Sequence, residues 1–123
     1  MTKHDNLPYI NHILDEILKI EKSITGLTEE SFISNIDLID ATVRRIEIIG
    51  EAVKNISNNL KEEYDNVEWK KIAGMRDIII HRYFRVDLEI VWKTIKEDLP
   101  NLKQKILKIK KDLEKNVAKK SNN

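Results

Sequence analysis

The sequence predicts an all-α fold of about five helices, and three observations carry that prediction. Apolar residues recur along most of the chain at the three-and-four spacing of amphipathic helices. Only three glycines and two prolines punctuate 123 residues. No stretch shows the period-two alternation of a half-buried strand. With 41% hydrophobic and 35% charged side chains, the chain has the size and composition of one domain with a modest single core. Residues 1–118 read as that single helical domain and residues 119–123 as a frayed C-terminal tail.

The first helix is expected to start near Pro8, because proline suits a first helical turn. It continues through Ile10, Ile13, Leu14, Ile17, Leu18 and Ile24, and stops near Gly26. Leu27 to Ile33 reads as a connector or short turn. Ser34 to Asp37 offers a capping-box-like start for a second helix, from about Asn35 to Ile56 or Leu60. At about 100° per residue, Asp40, Arg44, Glu47, Glu51, Lys54 and Asn55 share one polar face of that helix, opposite an apolar arc about 220° wide. Arg45 lies inside the arc, where an arginine needs either a partner or a way to snorkel past the core edge.

A polar break over Asn58, Asn59 and Lys61 to Asn66 precedes a third long helix marked by Trp69, Ile72, Ala73, Met75 and Ile78 to Ile80. Asp87 is a good cap for a fourth, Leu88 to Asp98, and Leu99-Pro100 is expected to interrupt it. A fifth helix follows, with Leu102, Ile106, Ile109 and Leu113 as its apolar stripe.

Without cysteine the chain can form neither a disulfide framework nor a thiolate metal site. Met1 to Asn11 lacks the apolar run of a signal peptide, and no segment approaches the roughly 18 apolar residues of a membrane span. A soluble cytoplasmic protein without membrane contact is expected. Charge is balanced overall, with 22 basic residues against 21 acidic ones, but unevenly placed. Lys103 to Lys120 holds eight lysines against Asp112 and Glu114, a balance of 8 − 2 = +6, so the remainder is about −5. Such a segment could attract a polyanion, although a solvated lysine face on a terminal helix explains it as well.

The chemistry is expected within Arg76-Asp-Ile-Ile-Ile-His-Arg-Tyr83. Arginine grips phosphate oxygens with a planar, permanently charged fork, and histidine exchanges protons near neutrality. Arg76, His81 and Tyr83 therefore suggest phosphodiester chemistry. A helix-end histidine facing the C-terminal dipole, with a core arginine paired to a carboxylate, is the structural alternative. On a straight helix His81 stands roughly 140° from Arg76, so either the helix ends near His81 or another chain completes the site. His4 and His12, near the terminus, read as surface residues. No His or carboxylate cluster has metal-ligand spacing, so neither metal nor cofactor is expected.

The arginine, four residues, histidine, one residue, tyrosine pattern resembles the signature of the HEPN ribonuclease superfamily, and its surroundings resemble the HepT-type toxins within it. The matching text comprises Ala41 to Ala52, Trp69 to Phe84, Val86-Asp87, Val91-Trp92 and Asp98 to Pro100, covering nearly the whole chain in ordered blocks. The resemblance implies an antiparallel helical bundle, the HEPN fold, paired into a homodimer whose arginines and histidines face a shared cleft. It implies metal-independent RNA cleavage, with tRNA the expected substrate. Arg76 and His81 would be catalytic, the first holding the scissile phosphate and the second moving a proton. Arg45, Glu51, Asp77 and Arg82 are candidate supporting residues.

In HepT-type systems the partner is an MntA-like minimal nucleotidyltransferase antitoxin that adds AMP to the motif tyrosine, here Tyr83. Glu47 and Glu51, one turn apart, could orient Arg44, contact that partner, or form an exposed salt-bridge ladder. Two other readings stay open. One is a non-catalytic helical dimer that binds nucleotide or docks a nucleotidyltransferase. The other is a nucleic-acid binder that works through its lysine tail alone.

Overall fold

A computed structural model of the chain describes residues 5–81 and 88–121. Among the described residues every regular element is helical. The first helix, α1, spans Leu7–Ile24 with Pro8 in its first turn, and Gly26 takes the positive φ (77°) that follows many helix ends. It buries Ile10, Ile13, Leu14, Ile17, Ile20 and Ile24. Leu18, expected on that stripe, is instead 43% exposed, whereas Glu16 is buried at 4%.

The segment read as a connector contains a short helix, α2 (Glu29–Ile33). Thr28 Oγ1 accepts from the Ser31 N–H at 3.2 Å, and Ser31 Oγ accepts from the Thr28 N–H at 2.9 Å, a reciprocal cap. The helix delivers Phe32 to the core. Helix α3 spans Ile36–Lys54, and its cap is Asn35, whose side chain accepts from the Leu38 N–H at 3.1 Å in place of the expected box from Ser34 to Asp37. The expected polar break contains another short helix, α4 (Asn58–Glu63), capped by Ser57 and burying Leu60.

Helix α5 spans Trp69–His81 and α6 spans Leu88–Lys93; Asp87, the expected cap of α6, lies outside the described residues. Pro100 does not interrupt the chain's helical path. A π-helical turn, Thr94–Asp98, joins α6 directly to α7 (Leu99–Ser121), and the Leu99 N–H reaches back to the Thr94 carbonyl. The longer turn explains the continuity. Proline lacks an N–H and crowds the carbonyl four residues earlier, and both are relieved where bonds already run over five residues and a new helix begins.

Asn6 bonds Ser57, and Arg45 pairs with Glu16, so α1 and α3 run antiparallel. Tyr64 and Asn66, just before α5, bond Asp112 and Lys105 of α7, and Ile72 and Met75 share one cleft with Leu99 and Leu102 at the start of α7, so this pair is antiparallel too. Ile13, Ile17 and Ile20 from α1 are fully enclosed, as are Ile46, Ile49 and Val53 from α3 and Leu99, Ile106 and Ile109 from α7. They form one continuous core. No helix among the described residues is long and apolar enough to cross a membrane.

Candidate functional site

Helix α5 carries the motif because its buried residues Trp69, Ile72 and Met75 seat it on the core while Asp77 stays exposed. Its helical backbone runs through Arg76 to His81. Five residues of α-helix separate these two positions by about 140° around the axis and about 7.5 Å along it. They therefore share one helix but not one face of it. The side chains of both lie outside the described residues, as do Arg82 and Tyr83 entirely. Antiparallel packing sets the motif at the end of the bundle where α7 begins.

Arg45 is the supporting candidate whose surroundings are most fully described. Its Nη1 lies 3.4 Å from Glu16 Oε2, and the Glu16 side chain is only 5% exposed. Lys19 Nζ stands 3.5 Å from Glu16 Oε1 and His12 Nε2 stands 3.9 Å from it, both from exposed side chains. A carboxylate this enclosed needs compensating charge, and an arginine in an apolar arc needs a partner, so each accounts for the other across the α1–α3 interface. His12 is a surface residue, as expected; His4 lies outside the described residues. Glu16 is the residue that sequence reasoning missed. The signal was Arg45 itself, which called for an acid on the facing helix.

Glu47 holds Arg44 at 3.3 Å, one turn away. Glu51 is exposed, and its carbonyl accepts from the Asn55 side chain at 2.9 Å. At the opposite end of the bundle from the motif, Tyr64 Oη donates to Asp112 Oδ2 at 2.7 Å, and Lys108 Nζ lies 3.4 Å from the same oxygen. The hydrogen bond from Tyr64, with the charge of Lys108 behind it, holds the Asp112 carboxyl below its ordinary range. Burial and then the Asp112 hydrogen bond push the Tyr64 phenol well above its own. Burial also lowers the Lys61 ammonium on α4.

Comparison with known proteins places this geometry. Residues 13–109, from within α1 to the middle of α7, match the family described as ribonuclease HepT-like. A Methanocaldococcus jannaschii protein named as a gamma-glutamylcyclotransferase and candidate RNase is 48% identical over 114 residues, 93% of this chain, which spans about half (51%) of that relative's length. A candidate RNase of Caldanaerobacter subterraneus subsp. tengcongensis is 43% identical over 102 residues, 83% of this chain and 91% of its own. A protein of Thermococcus cleftensis named "Probable ribonuclease HepT" is 40% identical over 109 residues, 89% of this chain and 99% of its own. No solved structure is significantly similar. The motif helix and the core that seats it both fall inside the matched region, and the chain belongs to the HepT-like ribonuclease family.

Proposed function

We propose that the chain is the toxin ribonuclease of a toxin–antitoxin pair, cleaving RNA, and tRNA in particular, at a cleft between two copies of itself. The observation that carries this reading is the Arg76, His81 and Tyr83 text, with the backbone of its first two residues on a core-seated helix, in a chain of this family. The 140° between the first two positions supports a second copy, because one straight helix does not converge them on a single phosphate.

The chemistry needs little beyond those groups. The RNA 2′-hydroxyl attacks the adjacent phosphorus and gives up its proton, and the bond to the 5′-oxygen breaks as that oxygen takes a proton. His81 serves one of these two transfers. Arg76 holds the phosphate oxygens and stabilises the charge that builds on them in the transition state. Silencing follows when an MntA-like nucleotidyltransferase transfers AMP from ATP to the Tyr83 oxygen, releasing pyrophosphate. The added phosphate sits within two residues of His81 and repels RNA from the arginine it occupies.

The test incubates purified protein with total tRNA in EDTA. Beside it run His81→Ala, Arg76→Ala, and wild type pretreated with an MntA-like nucleotidyltransferase and ATP. Wild type alone should cleave, and each substitution should cost about 10²–10⁴ in rate with the circular dichroism unchanged. Intact tRNA in every lane would overturn the ribonuclease reading. Cleavage retained by both variants would overturn the assigned roles.

A further inference from the structure

The motif on α5 leaves the lysine run of α7 unexplained. The structure sorts its charges. Lys103 is spent on Glu21 at 2.9 Å, and Lys105 donates to the Asn66 carbonyl at 2.7 Å. Lys108 pairs with Asp112, which already holds the Tyr64 hydroxyl and also feels the charge of Lys115. Among the described residues, Lys110, Lys111 and Lys115 have no carboxylate within ion-pair distance. Among the described residues Ile109 is the last fully enclosed one of the helix, and Glu114 to Val117 are all exposed. The described part of these last turns is therefore held by little core, and Lys111 and Lys115 face solvent.

Their spacing is regular. Lys108, Lys111 and Lys115 fall within about 60° of one another around the axis, advancing about 4.5 and 6 Å along it, and Lys119 continues the three-and-four sequence. A row of cations with too few local carboxylates complements a linear anion with evenly spaced charges, and the nucleic-acid backbone is that kind of anion.

The row and the motif occupy opposite ends of the bundle. Tyr64, bonded to Asp112, precedes α5, and the helix then runs 12 residues from Trp69 to His81, about 18 Å. With the further rise to Lys115, the separation is about 20–25 Å, or roughly six to seven stacked nucleotides at about 3.4 Å each.

We infer that the lysine row of α7 is a second, sequence-independent contact surface for the phosphate backbone of RNA whose scissile bond lies at the motif on α5. This rests on the ribonuclease reading. It makes the row a selector for substrate length: RNA long enough to span the bundle gains from it, and an oligonucleotide confined to the motif does not.

The test compares the full chain carrying Lys108→Gln, Lys111→Gln and Lys115→Gln with a control carrying Lys22→Gln, Lys54→Gln and Lys70→Gln. Both lose three positive charges, the control from exposed positions elsewhere. Fluorescence anisotropy with an uncleavable 2′-O-methyl RNA 30-mer is read between about 50 and 200 mM salt. The row variant should bind at least about tenfold more weakly, with the slope of log affinity against log salt reduced by about 2, from roughly 0.7 for each lost contact. The control should stay within about twofold of wild type, because non-contacting charges release no bound counterions. Cleavage efficiency on a cleavable 30-mer, relative to a tetranucleotide, should fall about tenfold in the row variant alone. Unchanged affinity, equal loss in the control, or a parallel fall on both RNA lengths would overturn the inference. If wild type cleaves neither RNA, the ribonuclease reading fails separately, and the anisotropy comparison still decides whether the row binds RNA.

Discussion

At the end of the bundle where α1 begins, polar groups fasten the connections. The Asn6 side chain accepts from the Ser57 N–H at 2.9 Å and donates to Ser57 Oγ at 3.0 Å, while Tyr64 ties the turn after α4 to Asp112. The end that carries Arg76 and His81 is finished differently. Phe32 of α2 packs against Trp92 of α6 with ring centroids 5.3 Å apart, and Ile33, Ile36 and Ile90 remain 36%, 71% and 37% exposed on the elements there. The turns at one end are thus held by polar side chains, whereas at the other an aromatic pair joins α2 to α6 and the Lys103–Glu21 ion pair joins α7 to α1. With the chemistry at the motif, as proposed, stability and chemistry are housed apart, so substitutions at the fastened end should weaken the fold without slowing a correctly folded enzyme.

Ile10→Ala would test that separation most severely. Ile10 is fully enclosed one turn after Asn6, and its truncation should cost about 2–5 kcal/mol in a urea melt, with RNA cleavage per folded molecule unchanged. Ser57→Ala should cost less, about 1–2 kcal/mol, because it removes both the cap on the Leu60 N–H and the acceptor for Asn6. A fall in cleavage matching the fall in stability for either variant would end the distinction between the two ends.

Tyr64→Phe should have the smallest effect and the clearest pH signature. Asp112, held below its ordinary 3.8, contributes stability that is present above that value and lost as pH falls through the depressed one. Tyr64, raised above its ordinary 10.0, contributes stability that is present below that value and lost as the solution becomes more alkaline. The difference in melting temperature between wild type and variant should therefore be flat from about pH 5 to 9 and shrink on both sides. A difference that does not change with pH would show that the hydrogen bond between these groups is not its source.

The long helices could be read from sequence because each holds enough turns for its apolar period to show. Helices α2 and α4 could not, since five or six residues contain less than two turns and each buries a single large side chain, Phe32 or Leu60. What decides them is a cap, Thr28 with Ser31 or Ser57 alone, together with a core that only the assembled fold supplies. Glu16 was hidden for a related reason: a glutamate on an amphipathic helix reads as solvent-facing until the helix opposite presents Arg45. For the site, Arg76, His81 and Tyr83 stand out by chemistry alone, as polar groups beside the apolar run Ile78 to Ile80. Convergence of such groups is a tertiary property that sequence does not give, because a helical period fixes angles about one axis and says nothing of a second chain.

The π-helical turn before Pro100 also constrains chain length. Val91, Ile95 and Leu99 are buried at intervals of four, whereas Leu102, Ile106 and Ile109 return to the alternating four and three of an ordinary helix. The turn corrects the phase between these two patterns, taking up the extra residue that would otherwise rotate α6 off the core. Deleting one residue between Thr94 and Asp98 would let the segment close into regular α-helix with Val91 still facing the core, because the wide turn already cancels that residue's rotation of about 100°. Homologues that lack the extra residue of this turn could therefore keep the same apolar stripe in α6, whereas a one-residue deletion elsewhere in α6 or early α7 would rotate that stripe by about 100° and should travel with changes upstream.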